Sequence, residues 1–502
     1  MSRTTLLRLL AAAPLAAATA CTPPAPPAEP APVPAPAEPA PARPALEIVA
    51  EPPTLGAPRP YTLPPIEEFR LENGLRVVVV RQASVPLVTG RLILEAGAEH
   101  EPAERNGLAV LTANLLPEGT AALPGPELAE RMERLGAQFQ TGAGQNSTFA
   151  VVAALKPAFA EALGLAAQAV TAPAFPARDF ERVKQQAITA HVQSQSTVEG
   201  LAAEAFARAV FAAQAPYARL PGGTAATLGQ VTRDDVVRWH RTMYVPAAAT
   251  LLLVGDVTAD EARQIARQAF GSWRGAAPRL VRKPNPSRPA QRTRVILVDR
   301  PGSVQSHIRV GQAAPGAEDP DVIRLTALTQ VLGGAFNARI NQNLRERHGW
   351  TYGAWANFNP ARGAGTLFIH SSVRTNATDS ALVESVREYR RIVEEPVPAE
   401  ELTGATGNLV GSFPASVQTV QGLAQRMQNL LVWGLPMDYY ATYREQLAAV
   451  APGDVTRVGG ARLTPGAATI VVAGDLAQIE APIRALNLGD VEVWSPAGER
   501  VR

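Results

Sequence analysis

The chain has 502 residues, 46% of them apolar and 18% charged. That is too long for one hydrophobic core and apolar enough for most of it to fold as globular domains. A formal net charge of +2 without a basic cluster excludes nucleic acid as an expected partner, and a single cysteine, Cys21, excludes an internal disulfide.

The chain opens "MSRTTLLRLLAAAPLAAATAC", with Arg3 and Arg8 ahead of an apolar run that ends in small residues. This predicts a secretory signal over 1–20, too short for a lasting transmembrane helix. Cys21 follows directly and resembles the cysteine of a bacterial lipobox. The resemblance implies lipidation of Cys21 and, with Thr22 rather than Asp next, an outer-membrane lipoprotein on the periplasmic face. Ordinary signal cleavage with an incidental cysteine is the other reading, and Ala18 stands where a leucine is more usual. Residues 21–60 hold 15 of the 45 prolines. Proline removes backbone donors and favours extended polyproline II, so this segment predicts a stiff, solvated tether. No later segment reads as membrane-spanning.

From Tyr61 the composition becomes ordinary. Leu75 to Gln82 ("LRVVVVRQ") and Val88 to Gly97 ("VTGRLILEAG") predict strands: short, β-branched and bounded by turn residues. A helix is expected from Pro126 to Gly136, then a two-stranded hairpin over "QFQTGAGQNSTFAVVAALK". Alanine-rich helices are expected over Phe159–Thr171 and in one long stretch over Ala177–Ala213. Strands and helices mix without strict alternation, which predicts an α+β class rather than a doubly wound sheet. The glycine-rich "VLGGAF" (331–336) and "ARGAGT" (361–366) read as turns, since neither matches a nucleotide-binding pattern.

An internal repeat organises the chain. "VTRDDVVRWHRTMYVPAAATLLLVGDV" starts at Val231 and "VAPGDVTRVGGARLTPGAATIVVAGDL" at Val450. At a constant offset of 219, Asp235 falls on Asp454, Pro246 on Pro465, Thr250 on Thr469, and Gly255-Asp256 on Gly474-Asp475. Each copy reads as a helix, a proline-marked turn and a buried strand ending in a Gly-Asp turn. Two homologous tandem domains follow, over 61–278 and 293–502, with the Pro- and Arg-rich 279–292 as linker.

Tandem α+β halves, "LENGLRVVVV", and a strand ending "EAGAEHEPAERNGLA" before a helix together resemble the insulinase-like (pitrilysin-type) zinc peptidases. The resemblance implies mainly antiparallel mixed sheets with packed helices in each half. In active members the helix after that last glycine carries His-x-x-Glu-His, two histidines on one face with a water-activating glutamate between them. Here Val110, Ala113 and Asn114 occupy those positions. A further glutamate, some 75 residues downstream in the family, falls on Gln186, give or take one residue. Val110 and Ala113 have no donor atoms, and neutral amides are weak zinc ligands. The six histidines are never closer than 22 residues apart (His348 to His370), so no helical ligand pair replaces the motif. The resemblance therefore implies no metal in this chain.

In the second half, "LRERHGWTYG" predicts a helix end closed at Gly349 followed by a strand. The family places an Arg and a Tyr seven positions apart here to hydrogen-bond substrate backbone, and Arg345 and Tyr352 have that spacing. Guanidinium and phenol donors suit a carbonyl becoming an oxyanion. Arg347 competes for the arginine. Taken apart from the family, Arg345 reads as pairing with a helix-end carboxylate and Tyr352 as a half-buried strand aromatic. The Gly136–Leu155 hairpin offers an edge strand for binding extended peptide.

The resemblance implies a metal-less, substrate-positioning subunit of a heterodimeric zinc metalloendopeptidase. The zinc and general base would then come from an insulinase-like partner with His-x-x-Glu-His, and unfolded peptides would be the substrates. A structural scaffold without a role in proteolysis is the alternative, and a self-sufficient peptidase with a non-standard site is the third.

Overall fold

The computed structural model describes residues 61–288 and 290–502. The expected signal, Cys21 and the tether over 21–60 lie outside the described residues. The twelve strands are β1 (Ile66–Arg70), β2 (Arg76–Arg81), β3 (Leu87–Leu94), β4 (Gln138–Ala143), β5 (Thr148–Leu155), β6 (Ala249–Gly255), β7 (Arg294–Asp299), β8 (Gln305–Ala314), β9 (Thr351–Pro360), β10 (Gly365–Arg374), β11 (Thr469–Gly474) and β12 (Asp490–Trp494). They form two mixed six-stranded sheets, ordered β1-β2-β6-β3-β5-β4 and β12-β7-β11-β8-β10-β9. Most pairings are antiparallel, but β2·β6, β7·β11 and β7·β12 are parallel. The fold is α+β with two related halves. Among the described residues no helix is long and apolar enough to cross a membrane.

The repeat holds in three dimensions. The helices Arg233–Met243 and Pro452–Arg462 each lead through a short proline turn into a central strand, β6 or β11. Asp235 and Asp454 both accept from the backbone at their helix starts, from Thr232 at 2.9 Å and Ala451 at 3.1 Å. Both also pair with an arginine, Arg105 at 3.3 Å and Arg324 at 3.2 Å. The offset of 219 carries Arg105 onto Arg324 as well.

Each sheet buries one face under helices of its own half. On the first, Val77, Val79, Leu92, Leu94 and Val152 meet α1 (Leu108–Leu115), α2 (Gly125–Arg134), α3 (Lys156–Thr171) and their neighbours. The opposite faces are covered by exchange. Helix α5 (Val198–Val210), from the first half, packs Leu201, Ala205 and Phe206 on Ile296, Val298, Val471 and Phe368 of the second sheet. The helix Val420–Trp433, from the second half, packs Leu423, Ala424 and Met427 on Val78, Val80, Leu252 and Val254 of the first. Buried apolar side chains on both faces explain why the central strands read as continuous hydrophobic runs rather than alternating ones.

This exchange corrects one expectation. The stretch Ala177–Ala213 is two helices, α4 (Ala177–Gln195) and α5, broken at Ser196-Thr197. Thr197 caps α5 by accepting from Gly200 N at 3.1 Å, and a Cβ on Gly200 would sit 2.0 Å from the Ser194 carbonyl oxygen. Only glycine allows so tight a turn between the helices. "VLGGAF" is also not a simple turn. Residues 330–332 continue the helix Val322–Thr329 with π-type bonding, and the backbone leaves helical geometry at Gly333 (φ −171°, ψ 17°). "ARGAGT" does connect β9 to β10, with Gly363 at φ +78°.

A buried polar group joins the halves at that connection. Arg362 pairs with Glu99 at 3.5 Å and donates to the Val432 carbonyl at 2.8 Å. Tyr217 donates to the Arg362 carbonyl at 2.9 Å and accepts from Asn146 at 2.6 Å.

Candidate functional site

Helix α1 carries the expected motif positions and is built to hold its place. It starts at Gly107 (φ +103°), where a Cβ would meet the Leu228 side chain at 2.7 Å. The buried Glu101 carboxylate caps it, accepting from Ala109 N at 2.5 Å, Gly107 N at 3.0 Å and Asn106 Nδ2 at 3.1 Å. Burial pushes the Glu101 carboxyl up to about 7 even against those three donors, which favour its anion.

Val110 is half-buried, Ala113 fully buried and Asn114 exposed. Thr141 of edge strand β4 donates to the Ala113 carbonyl at 2.8 Å, so the motif helix lies directly against an edge strand. Helix α4, packed against α1, presents Gln186 at its surface. The Gln186 amide oxygen accepts from Arg182 at 3.3 Å, and Arg182 also pairs with Glu118 and Asp179.

These residues do not fit a zinc ion. Two positions are aliphatic, two are neutral amides, and the fourth lies beside a guanidinium. Among the described residues no group of three or more His, Cys, Asp or Glu is placed to hold a metal.

Tyr352 lies on edge strand β9 of the other sheet, and Arg345 on the helical turn that precedes it. Arg345 belongs to the π-helical turn Gln342–Arg347, which ends at Gly349 (φ +63°), and Gly349 N donates to the Arg345 carbonyl at 2.9 Å. Its guanidinium stacks 4.5 Å from the centre of the half-exposed Phe336 ring and pairs with Glu346 at 3.3 Å. The reading of Arg345 as a partner to a helix-end carboxylate is thus met, without removing the group from solvent.

Tyr352 is 92% exposed, which overturns the half-buried reading. The cause is a β-bulge. Thr351 pairs with Val373 and Ala354 with Ser371, so Tyr352 and Gly353 together face the single residue Ser372. The extra residue bends the strand and re-aims its side chains. Ala354 and Ala356 return to the buried face, and the phenol is left in solvent. The Thr351 hydroxyl pins the bulge, donating to the Ser372 carbonyl at 2.7 Å and accepting from Gly353 N at 3.1 Å.

Sequence reasoning missed the residue that joins these two elements. Asn341 is fully buried, donates to the Phe336 carbonyl at 2.6 Å and accepts from Ala354 N at 3.1 Å. It ties the helical segment of Arg345 to the strand of Tyr352. The available signal was an asparagine inside an apolar-periodic helix, where an unpaired amide is unfavourable.

Two family profiles match this chain: insulinase (peptidase family M16) over residues 76–217, and the peptidase M16 inactive domain over 230–409. An uncharacterized zinc protease of Streptomyces coelicolor is 23% identical over 400 residues, covering 78% of this chain and 86% of that protein. The non-peptidase homolog YmxG of Helicobacter pylori is 22% identical over 381 residues, covering 75% and 86%. Among solved structures, a peptidase M16 inactive domain from Pseudomonas fluorescens superposes with a TM-score of 0.77 at 24% identity, over 82% of this chain and 98% of that one. A protease from Helicobacter pylori gives 0.76 at 19% identity, over 82% and 100%. These structural likenesses establish the fold.

Proposed function

Because this chain belongs to the insulinase (M16) family, we propose that it is a non-catalytic subunit that positions extended peptide for a second, zinc-bearing chain of the same family. The observation that carries this reading is the pairing of an emptied motif with a preserved donor pair. Val110, Ala113, Asn114 and Gln186 offer no imidazole or carboxylate. Arg345, on the helical turn before β9, and Tyr352, on the bulged edge strand itself, remain accessible, and no core packing demands a phenol there. The match to an inactive-domain profile and the likeness to a non-peptidase homolog support the non-catalytic part.

In this reading the partner supplies zinc and the water-activating glutamate. The chain contributes strong hydrogen-bond donors to the peptide carbonyls, and strand β4 offers unpaired backbone to an extended substrate. The same reading includes export by a secretory signal over 1–20 and lipidation at Cys21, which would hold the pair on the periplasmic face of the envelope.

The test is reconstitution. The purified chain alone is expected to bind no zinc and cleave no unfolded peptide. Mixed with an insulinase-like chain from the same cell that keeps His-x-x-Glu-His, it is expected to form a stable pair with endopeptidase activity. A pair whose activity is indifferent to Arg345 and Tyr352 would leave only the scaffold reading.

A further inference from the structure

A cavity of about 370 Å³ is lined by Glu400 and Glu401 without a basic residue, and one of about 430 Å³ sets Arg70, Arg76 and Arg362 against Glu95. A third, of about 780 Å³, is the most strongly basic of the three. Arg208, Arg219, Arg288, Arg294 and Arg500 line it, and Glu492 is the only carboxylate among its walls. The arginines come from α5, the loop after it, the connector between the halves, strand β7 and the C-terminal segment.

The hydrogen bonds of these guanidiniums are only partly met. Arg294 is satisfied, with Glu492 at 3.1 and 3.2 Å and the Ala209 carbonyl at 3.3 Å. Arg208 reaches Glu204 at 2.8 Å through one terminal nitrogen, but its Nε is buried without a partner. Among the described residues the side chains of Arg219, Arg288 and Arg500 form no hydrogen bond or ion pair, although Arg219 and Arg288 are half-buried. Burial holds the Arg219 pKa below its usual value and the charge of Arg208 adds to this, while Glu101 and Glu104 oppose it. Like charges gathered around a partly enclosed space repel one another, and planar guanidiniums with free N–H groups match oxyanions in bidentate fashion.

We propose that this cavity binds a small multivalent oxyanion, phosphorylated or polycarboxylic, that bridges the two halves of the chain. A volume of about 780 Å³ exceeds a single phosphate and lies in the range of small-ligand pockets. The cavity walls belong to both halves and to their connector, so the anion fixes one half against the other. A ligand that binds only this closed arrangement stabilises it by mass action.

The experiment is thermal unfolding of the mature full-length chain at constant ionic strength, titrated with pyrophosphate in one arm and citrate in the other, with affinity from calorimetry. We expect a saturable rise in Tm with at least one of them, and the arm that responds tells phosphate from carboxylate chemistry. The double variant Arg219→Gln/Arg288→Gln is expected to weaken that binding at least about tenfold, roughly 1.4 kcal/mol. Without anion its Tm should stay equal or rise, because repulsion is relieved. Arg500→Gln, at an exposed position, gives a second reading that does not depend on the buried pair. No saturable shift with either anion, or an undiminished shift in both variants, overturns the site.

Discussion

Asn341 accepts a 3.1 Å hydrogen bond on its amide oxygen from the main-chain N–H of Ala354. Replacing it by alanine leaves that N–H and the Phe336 carbonyl without partners in a fully buried place. The loss is expected to be about 2–4 kcal/mol, read as a lower urea midpoint. The same change frees the Arg345 turn from the Tyr352 strand, so turnover of the reconstituted pair should fall even where the variant is fully folded. A variant as stable as the parent would show that Asn341 is not the tie between them.

Arg345→Ala and Tyr352→Phe should behave in the opposite way. Both side chains are accessible and neither fills the core, so stability should stay within about 0.5 kcal/mol. If they donate to the substrate carbonyl, turnover of the pair should drop about 10- to 100-fold. Arg347→Ala is the control that separates the two candidate arginines, and it should leave turnover unchanged.

The exchanged helices predict how the chain unfolds. Leu423 is fully buried on the first sheet although it belongs to the second half. Leu423→Ala should remove about 2–5 kcal/mol. Each half also covers the other's sheet, so calorimetry should show one cooperative transition, in the parent and in this variant alike. Two separate transitions would mean that the exchanged contacts contribute little.

Some of this was legible in the sequence. The repeat at an offset of 219 gave the two related halves, because Asp235 and Asp454 do the same capping work. The hairpin Gln138–Leu155 followed from alternation and glycine. The exchange was not found, because helical periodicity reports that a face is buried, not which sheet buries it. Its signal was nevertheless there: "TVEGLA" from Thr197 and "TVQGLA" from Thr419 open the two exchanged helices with the same threonine cap and the same close-packed glycine. The exposure of Tyr352 was hidden for another reason. Alternation assigns faces only while the register is unbroken, and the bulge at Tyr352-Gly353 adds the one residue that breaks it. Asn341 was passed over because an amide gives no periodic signal.

Glu101 predicts a pH dependence. Its carboxyl is raised from 4.5 to about 7 in the folded chain, so between those values the native state holds a proton that the unfolded state has released. The contribution of Glu101 to stability is therefore full below about 4.5 and is lost as pH rises towards 7, by up to about 3 kcal/mol. His307 and His370, held down by burial to about 3 and about 4, act in the opposite direction, because acidification below their unfolded range favours the unfolded chain. The Glu101 contribution is isolated by comparing Glu101→Gln with the parent. The difference in urea midpoint between them should change between pH 4.5 and 7, with the parent losing stability relative to the variant as pH rises. A difference that stays constant across that window would show that the three N–H donors keep Glu101 ionised.

The motif helix allows a last test, by restoring ligands. Val110 and Asn114 stand one turn apart on α1, half-buried and exposed, so histidine at both displaces no fully buried side chain. Gln186 lies three residues past the buried Val183 on α4, which packs against α1, so a carboxylate there should come within reach of that pair. The folded triple variant Val110→His/Asn114→His/Gln186→Glu is expected to retain about one zinc per chain after dialysis, measured by elemental analysis, where the parent retains none. It should still cleave nothing, because the water-activating position remains Ala113, which has no carboxylate and is fully buried. If the triple variant takes up no zinc, moving the carboxylate from 186 to 185 tests a one-residue slip. Failure of both in folded protein would mean that α1 and α4 no longer hold the spacing of a zinc site, and that the peptidase frame has been lost along with its ligands.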